Sequence, residues 1–479
     1  MDLLYRRTAK RSSREGQRKR ANGVERPYRI TGIQCGLLSP CMQRTPIDRF
    51  RKPFTDFLHN QSNAGVVLFI VAIVAMVWAN SPWKESYHHL WEHTLAIRFD
   101  TWELERNLHH WINDGLMAMF FFLVGLELKR EFVGGELSNP KDAILPVAAG
   151  LGGMVVPALI FLLLNPSGPA QDGWGIPMAT DIAFAVGLLA LLGSRAPLAL
   201  KVFVTTLAIA DDLGAVLVIA LFYTSDISLW NVGIGAVFLL LLVFGNFLGV
   251  RSPWYYAVIG IGGMWTAFLL SGIHATVAGV LAALAIPAVT KLDERTYITK
   301  ISKYITEFAS LKPNDQPTLT ADQLHTIEKI DRASEFAETP LQRLEHRLEP
   351  IVMYIVIPLF ALANAGVELP TDLGGALTGS VTIGVALGLL LGKPLGILGI
   401  SWLFVKLGWA RLGPAVTWRH MIGAALLAGI GFTMSLFINE LAFVDPGLRQ
   451  EAKLGILIAS LVAGGLGYWV LRSMPAPDK

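Results

Sequence analysis

From residue 64 onward the chain alternates long apolar runs with short polar breaks. Twelve apolar stretches can be drawn, at approximately 64–81, 109–128, 144–164, 174–192, 198–222, 229–249, 254–271, 273–289, 350–367, 377–405, 418–438 and 452–472. About 20 helical residues at ~1.5 Å each cross the ~30 Å hydrocarbon core of a bilayer. The pattern therefore predicts an all-α polytopic membrane protein with about twelve transmembrane helices. Two polar insertions interrupt it. Within 82–108, LAIRF and WELE alternate apolar and polar residues about Asp100-Thr101, which predicts a short β-hairpin. An isolated hairpin is marginal in water, so this one needs a partner surface. Within 290–349, Lys, Glu and Asp are interspersed and Pro313 and Pro317 break the segment. Its flanks read as amphipathic helices at the membrane, and it carries no nucleotide or metal motif.

Composition agrees with the pattern. Of 479 residues, 53% are hydrophobic and only 16% charged, and the mean hydropathy is +0.49; soluble domains carry about 25% charged residues. The length is that of one membrane domain, 54–473, with 290–338 as a cytoplasmic insertion in it. The two cysteines, Cys35 and Cys41, predict neither a disulfide framework nor a Cys-based metal site. No cofactor and no nucleic-acid partner are expected.

The leader 1–53 holds 14 Lys/Arg against 4 Asp/Glu, so the remaining 26 basic and 33 acidic residues carry −7. The basic character of the chain belongs to this tail. No apolar run follows it closely, which argues against a secretory signal, and Arg6-Arg7 lacks the apolar stretch of a twin-arginine signal. Two readings remain: a cytoplasmic arm touching anionic lipid, or disordered upstream sequence with Met42 as the start. Basic residues also sort the loops. Lys129, Arg130 and Lys141, then Arg195 and Lys201, Arg251, and Lys406, Arg411 and Arg419 fall on one side, whereas the loops 165–173, 223–228 and 368–376 have no Lys or Arg. By the positive-inside rule both termini are cytoplasmic.

The most informative stretch is Pro197–Tyr223, where Asp211 and Asp212 sit mid-span. A buried helix of a soluble protein is the bland alternative, and the recurrence of apolar runs argues against it. A charge at membrane depth costs roughly 2.5–3.5 kcal/mol by insertion scales and marks a functional site by default. The fourth and eleventh spans look broken: Gly175–Asp181 combines Pro, Gly, a hydroxyl and a carboxylate, and Ala428–Thr433 holds two glycines. Glycines that only pack helices are the alternative, but one interrupted span in each half points to a transporter site built from discontinuous helices. Asp181 can neutralise the positive N-terminal ends at such breaks, and Lys393, alone in ALGLLLGKPLGILGI, the negative C-terminal ends. Four charges at depth cost on the order of 10–14 kcal/mol if unpaired, as much as a whole protein's net stability. Pairing, water or ions must offset that.

Adjacent helical residues diverge by ~100°, so one of Asp211 and Asp212 can line a cavity while the other pairs sideways with Lys393. Carboxylate oxygens suit a hard cation such as Na⁺ or Li⁺. Protons and that cation compete for the same oxygens, which is the logic of antiport. The charge count favours two protons per monovalent cation, hence electrogenic exchange. An intramembrane aspartyl protease needs its two aspartates on separate helices, usually with a GxGD signature absent here. A prenyltransferase needs spaced aspartate clusters near the membrane face. A Na⁺-coupled symporter or a cation channel is the nearer alternative.

GWGIPMATDIAFAVGLLALLGSRAPLALKVF, LAIADDLGAV, SGIHATVAGV, RLEH, IPLFALANAGV, GKPLGI and GIGFTMSLFI, in this order, resemble the NhaA-type sodium/proton antiporters, over about 54–473 less 290–338. The resemblance implies inverted repeats with two discontinuous, crossing helices, the bacterial inner membrane, and a homodimer joined by the hairpin. It implies Asp212 as the principal cation ligand and Asp211 as the acid exchanging between Lys393 and protons. Thr180-Asp181 matches the polar pair at the helix crossing, and Asp114 a further acid of the second span. Glu127, Arg130 and Glu131, with Glu345 and His346, match a cytoplasmic pH-response cluster; His274 matches a histidine of the outer half. Glu349 stands where the enteric-type pattern repeats a histidine, so the pH threshold does not carry over.

Overall fold

The structure is a computed structural model that describes residues 61–475 apart from 100–101, 225–226, 312–317 and 369–371. The basic leader with its cysteines and Met42, the hairpin turn Asp100-Thr101, and Pro313 and Pro317 lie outside the described residues. Nearly everything else is helical.

α1 (Gln61–Ala79) is apolar on all sides, and after Ser81 the chain turns by 110° into the polar α2 (Lys84–Glu92). β1 (Thr94–Phe99) and β2 (Trp102–Asn107) then pair antiparallel, from Thr94 opposite Asn107 to Phe99 opposite Trp102, where the alternating pattern placed them. α3 (Leu108–Gly134) and α4 (Pro140–Leu164) follow. Next come a 3₁₀ run, Pro169–Met178, and α5 (Ile182–Leu191), separated by the extended residues Ala179–Asp181. α6 (Leu198–Phe222) carries the acid pair. α7 (Leu229–Phe247), α8 (253–269) and α9 (Ala275–Ala285) complete the first half. The polar insertion forms a pair of capped helices, α10 (Glu294–Ser310) and α11 (Ala321–Ala337), bridged by Lys329 and Glu307 at 2.8 Å. α12 (Pro340–Asn364), α13 (Ser380–Lys406), α14 (Trp418–Ala428), α15 (Phe432–Ala442) and α16 (Pro446–Arg472) make the second half. α14 and α15 meet at 43° across a three-residue break.

Each of the twelve apolar stretches falls on helix, but they do not all qualify as spans. Among the described residues, eight helices are long and apolar enough to cross a bilayer, or up to ten if each of the two bent pairs counts as one. The other two stretches give the 253–269 helix and the 11-residue α9, too short to cross alone. Two predicted starts and ends also move. α3 runs on to Gly134 and α12 starts at Pro340, so Arg130, Glu131, Glu345 and His346 lie on the same helices as the spans beside them, as Glu127 does.

The apolar surface confirms the solvent. α7 is almost bare, with Leu229, Trp230, Val237, Leu240, Phe244 and Phe247 all exposed. Such a surface is untenable in water and ordinary against lipid tails. The protein is a multi-pass membrane protein. Inside, the helices approach through small residues. At the α4–α13 contact Gly152 and Gly396 face each other so closely that a Cβ on Gly152 would meet the Gly396 carbonyl oxygen at 2.5 Å, and one on Gly396 would strike the Gly152 carbonyl in turn. At the α3–α9 contact a Cβ on Gly125 would come within 2.7 Å of Ala283 Cβ.

Prolines explain two of the four places where described helices widen; Trp111–Leu116 and Val258–Trp265 widen without one. Pro394 and Pro358 have no N–H to donate. In the turn before each, the ladder slips to i→i+5 bonding: Lys393 N–H donates to Gly388 O, and Ile357 N–H to Val352 O. Such wide turns are common at functional sites. One of them delivers Lys393 into the core.

Candidate functional site

The two interrupted segments meet at their breaks. Pro177 ends the 3₁₀ run, and Ala179 and Asp181 take extended backbone angles. Asp181 N–H donates to Ile430 O at 2.7 Å, in the Gly429–Gly431 break between α14 and α15. The Asp181 carboxylate then serves two helix N-termini at once. Oδ1 accepts from Phe184 N–H at 3.1 Å in α5, and Oδ2 from Thr433 N–H at 3.0 Å and Thr433 Oγ1 at 2.5 Å in α15. This suits a negative charge, since each N-terminus presents free N–H groups and a partial positive charge.

The C-terminal ends are served in the opposite sense. Lys393 Nζ donates to Met178 O, the last carbonyl of the 3₁₀ run, and pairs with Asp211 Oδ2 at 2.9 Å. Thr180 Oγ1 lies 2.9 Å from Ala428 O, the last residue of α14, and 2.8 Å from Asp211 Oδ2. Ser460 of α16 accepts from Phe432 N–H at 3.1 Å, and Ser435 Oγ donates to Ile176 O at 2.8 Å, so serines hold the outer edges of the break.

Asp211, Asp212 and Lys393 are all 0% exposed. Yet the two acids differ. Asp211 Oδ2 holds Lys393 and Thr180, whereas Asp211 Oδ1 and both oxygens of Asp212 have no hydrogen-bond partner among the described residues. Gly150 on α4 keeps the space beside them open, because a Cβ there would sit 3.2 Å from Asp211 Oδ1. Three bare carboxylate oxygens on consecutive residues cannot persist in apolar surroundings without a proton or a cation.

A cavity of about 20 Å³, room for one water, lies toward α3 between Asp181 and Glu127, walled by Phe120, Met353, Thr433 and Met434. Glu127 lines it and stands within electrostatic reach of a charged cluster one turn further along α3. There Arg130 bonds Glu345 Oε1 at 2.5 Å and Glu131 Oε1 at 3.0 Å, with His346 next to Glu345 on α12. Asp114 and His274 form a third, separate group, 3.8 Å apart, with Trp265 Nε1 donating to Asp114 O at 3.3 Å.

The sequence-predicted residues thus fall into three sets. Thr180, Asp181, Asp211, Asp212 and Lys393 converge; Arg130, Glu131 and Glu345 pair elsewhere, with Glu127 and His346 within electrostatic reach of them; Asp114 and His274 pair apart from both. Two groups escaped sequence reasoning. Thr433 was seen only as part of a break, although it makes both α15 bonds to Asp181. Glu440 was missed altogether. It is the only acid in FTMSLFINELAF, and the rule that singled out Asp211 applies equally to it. It lies buried against Lys453 at 2.8 Å and Arg449 at 3.2 Å.

The family model described as Na⁺/H⁺ antiporter 1 matches residues 55–471. The chain belongs to this family. Na(+)/H(+) antiporter NhaA 2 of Syntrophotalea carbinolica is 49% identical over 427 residues, covering 89% of this chain and 97% of the relative. Na(+)/H(+) antiporter NhaA of Acidithiobacillus ferrooxidans is 51% identical over 424 residues, covering 88% and 97%. The namesake from Oleidesulfovibrio alaskensis is 47% identical over 428 residues, covering 89% and 95%.

Proposed function

We propose that the protein exports Na⁺, or Li⁺, in exchange for protons across a bacterial inner membrane. The observation that carries this reading is the pair of buried, partnerless oxygens of Asp212 beside the half-paired Asp211. Hard oxygen ligands in a dry site accept either a monovalent cation or a proton, and binding one expels the other. Asp212 is the principal Na⁺ ligand, with Asp211 beside it. Both acids lose their protons as Na⁺ enters, so two protons exchange for one Na⁺ and the exchange is electrogenic. Thr180, Asp181 and Lys393 balance the ends of the broken segments, which cross and rock to expose the site to one side and then the other. Names borne by the relatives support the direction of this reading.

Further features follow as proposals. Twelve spans in inverted repeats put both termini in the cytoplasm, with 1–53 as a basic leader and 290–338 as a cytoplasmic insertion. Glu127, Arg130, Glu131, Glu345 and His346 form a pH-responsive group at that face, and Asp114 and His274 one toward the other face. The hairpin joins two copies.

The direct test adds Na⁺ to purified protein in weakly buffered detergent and follows pH. Antiport requires prompt proton release, about two per protein, in wild type. No release in wild type would overturn the reading and favour a channel or symporter.

A further inference from the structure

Near Glu440, α3 and α12 are joined by a ring of three side chains. Asn364 Nδ2 donates to Asn113 Oδ1 at 2.9 Å, Asn113 Nδ2 faces His109 Nδ1 at 3.4 Å, and His109 Nε2 faces Asn364 Oδ1 at 3.1 Å. Asn364 Nδ2 also donates to Phe360 O at 2.9 Å, which fixes the direction of its amide. With that direction set, every other bond in the ring is set. Asn113 must donate to Nδ1, and His109 must be neutral with its proton on Nε2. Asn113 and Asn364 are buried.

We infer that His109 is a proton-operated latch between α3 and α12, closed by this ring while the imidazole is neutral and released toward Glu440 when it is charged. A second proton, on Nδ1, would point at the donor amide of Asn113. Turning Asn113 over would set its NH₂ against the NH₂ of Asn364. Turning Asn364 as well would set its NH₂ against His109 Nε2–H and its oxygen against Phe360 O. No arrangement of the two amides accepts both imidazole protons, so at least one bond of the ring must break.

The charged ring has an alternative acceptor. Glu440 Oε2 lies 3.9 Å from His109 Nε2, only slightly beyond the Asn364 oxygen. Around His109 the charged and titratable groups are His110 on its own helix, Glu440 on α15, Arg449 and Lys453 on α16, and Tyr87 of α2, which Glu440 also influences. Arg449 and Lys453 already neutralise Glu440, so a charged His109 enters as a third cation competing for one carboxylate. Glu440 is two turns along α15 from Thr433, the residue that grips Asp181. Release of the latch therefore frees the start of α3 from α12 and pulls on the half-helix that holds the centre of the transport site.

The test is amide hydrogen exchange on the full-length protein in detergent, followed between ~pH 8 and ~pH 5, the window in which histidine changes charge, after correction for the intrinsic pH dependence. Wild type should lose protection over 108–116 on acidification, and His109→Gln, whose amide can donate and accept but not titrate, should not. Protection of 108–116 that is unchanged by pH in wild type, or lost equally in a folded His109→Gln protein, would overturn the latch; the wild-type measurement decides even where the variant fails to fold. The effect on exchange, which rests on the antiport reading above, is read separately in proteoliposomes. His109→Gln should keep exchange at ~pH 8 and lose part of the acid fall-off seen in wild type. Absent Na⁺-induced proton release with an intact protection switch would sink antiport and leave the latch standing.

Discussion

Asp212 and Glu440 are both carboxylates buried in apolar helices, and they could hardly be treated more differently. Glu440 has a cation on each oxygen, Lys453 at 2.8 Å and Arg449 at 3.2 Å. Asp212 has no hydrogen-bond partner on either among the described residues. Burial alone therefore does not identify a transport ligand. A buried charge that the protein neutralises itself anchors structure, and one left bare waits for something from outside. Asp211 stands between the two, one oxygen committed to Lys393 and one bare.

The contrast breaks most sharply at Asp212. Asp212→Asn should abolish Na⁺-driven proton movement in proteoliposomes while the protein inserts and unfolds at an undiminished temperature, because no bond is lost. Robust exchange by that variant would remove Asp212 from the site. Lys393 tests the intermediate case. Lys393→Ala should cost about 3–5 kcal/mol, as loss of one partner of a buried pair does, so it reports stability and decides nothing about transport. Lys393→Gln is assayed for charge movement instead: a stable variant should still generate a membrane potential, since Asp211 and Asp212 supply two protons. Electroneutral exchange by well-folded Lys393→Gln protein would make the lysine a proton carrier.

Glu440 should behave in the opposite way from Asp212. Glu440→Gln should retain Na⁺-induced proton release but lose about 1–3 kcal/mol of stability, between an exposed pair and a fully buried one, seen as a lower thermal midpoint. Loss of proton release with an unchanged midpoint would reverse the assignment of the two acids. The smallest effect on exchange is expected far from both. Deleting residues 95–104, in the hairpin, should yield monomers in detergent that still transport; a dimer of native size after deletion would place the dimer contact elsewhere.

These differences set what could be seen in the sequence. The apolar runs and the alternating hairpin were legible because period and length are local properties. So was Asp211-Asp212, since acids stand out in an apolar run. Which of the two is paired was not legible in the residues themselves, only implied by the family resemblance, because it depends on Lys393 arriving from a helix some 180 residues away, in a turn widened by Pro394. The meeting of the two breaks was suggested by Pro177 and by Gly429 and Gly431, and Asp181 by its charge as a partner of the N-terminal ends, but that Thr433 supplies the bonds from α15 was not, since it needs the two segments in place. The ends of α3 and α12 were misplaced because charged residues such as Arg130 and Glu345 interrupt hydropathy without interrupting helix. The ring of His109, Asn113 and Asn364 spans about 250 residues and has no sequence signature.

The Gly152–Gly396 contact sets a gauge for all of this. Lys393 lies one turn of α13 before Gly396, so the distance between α4 and α13 also fixes how far the ammonium reaches toward Asp211. A library randomised at these two codons and selected for growth in high salt should return glycine at both, while lipid-facing Leu395 next door drifts freely among apolar residues. Changing either glycine alone should not be rescued by shrinking a neighbour, because the obstacle is main chain, which no second mutation can make smaller. Two residues with no side chain, no charge and no part in chemistry are thereby placed among the least replaceable in the molecule.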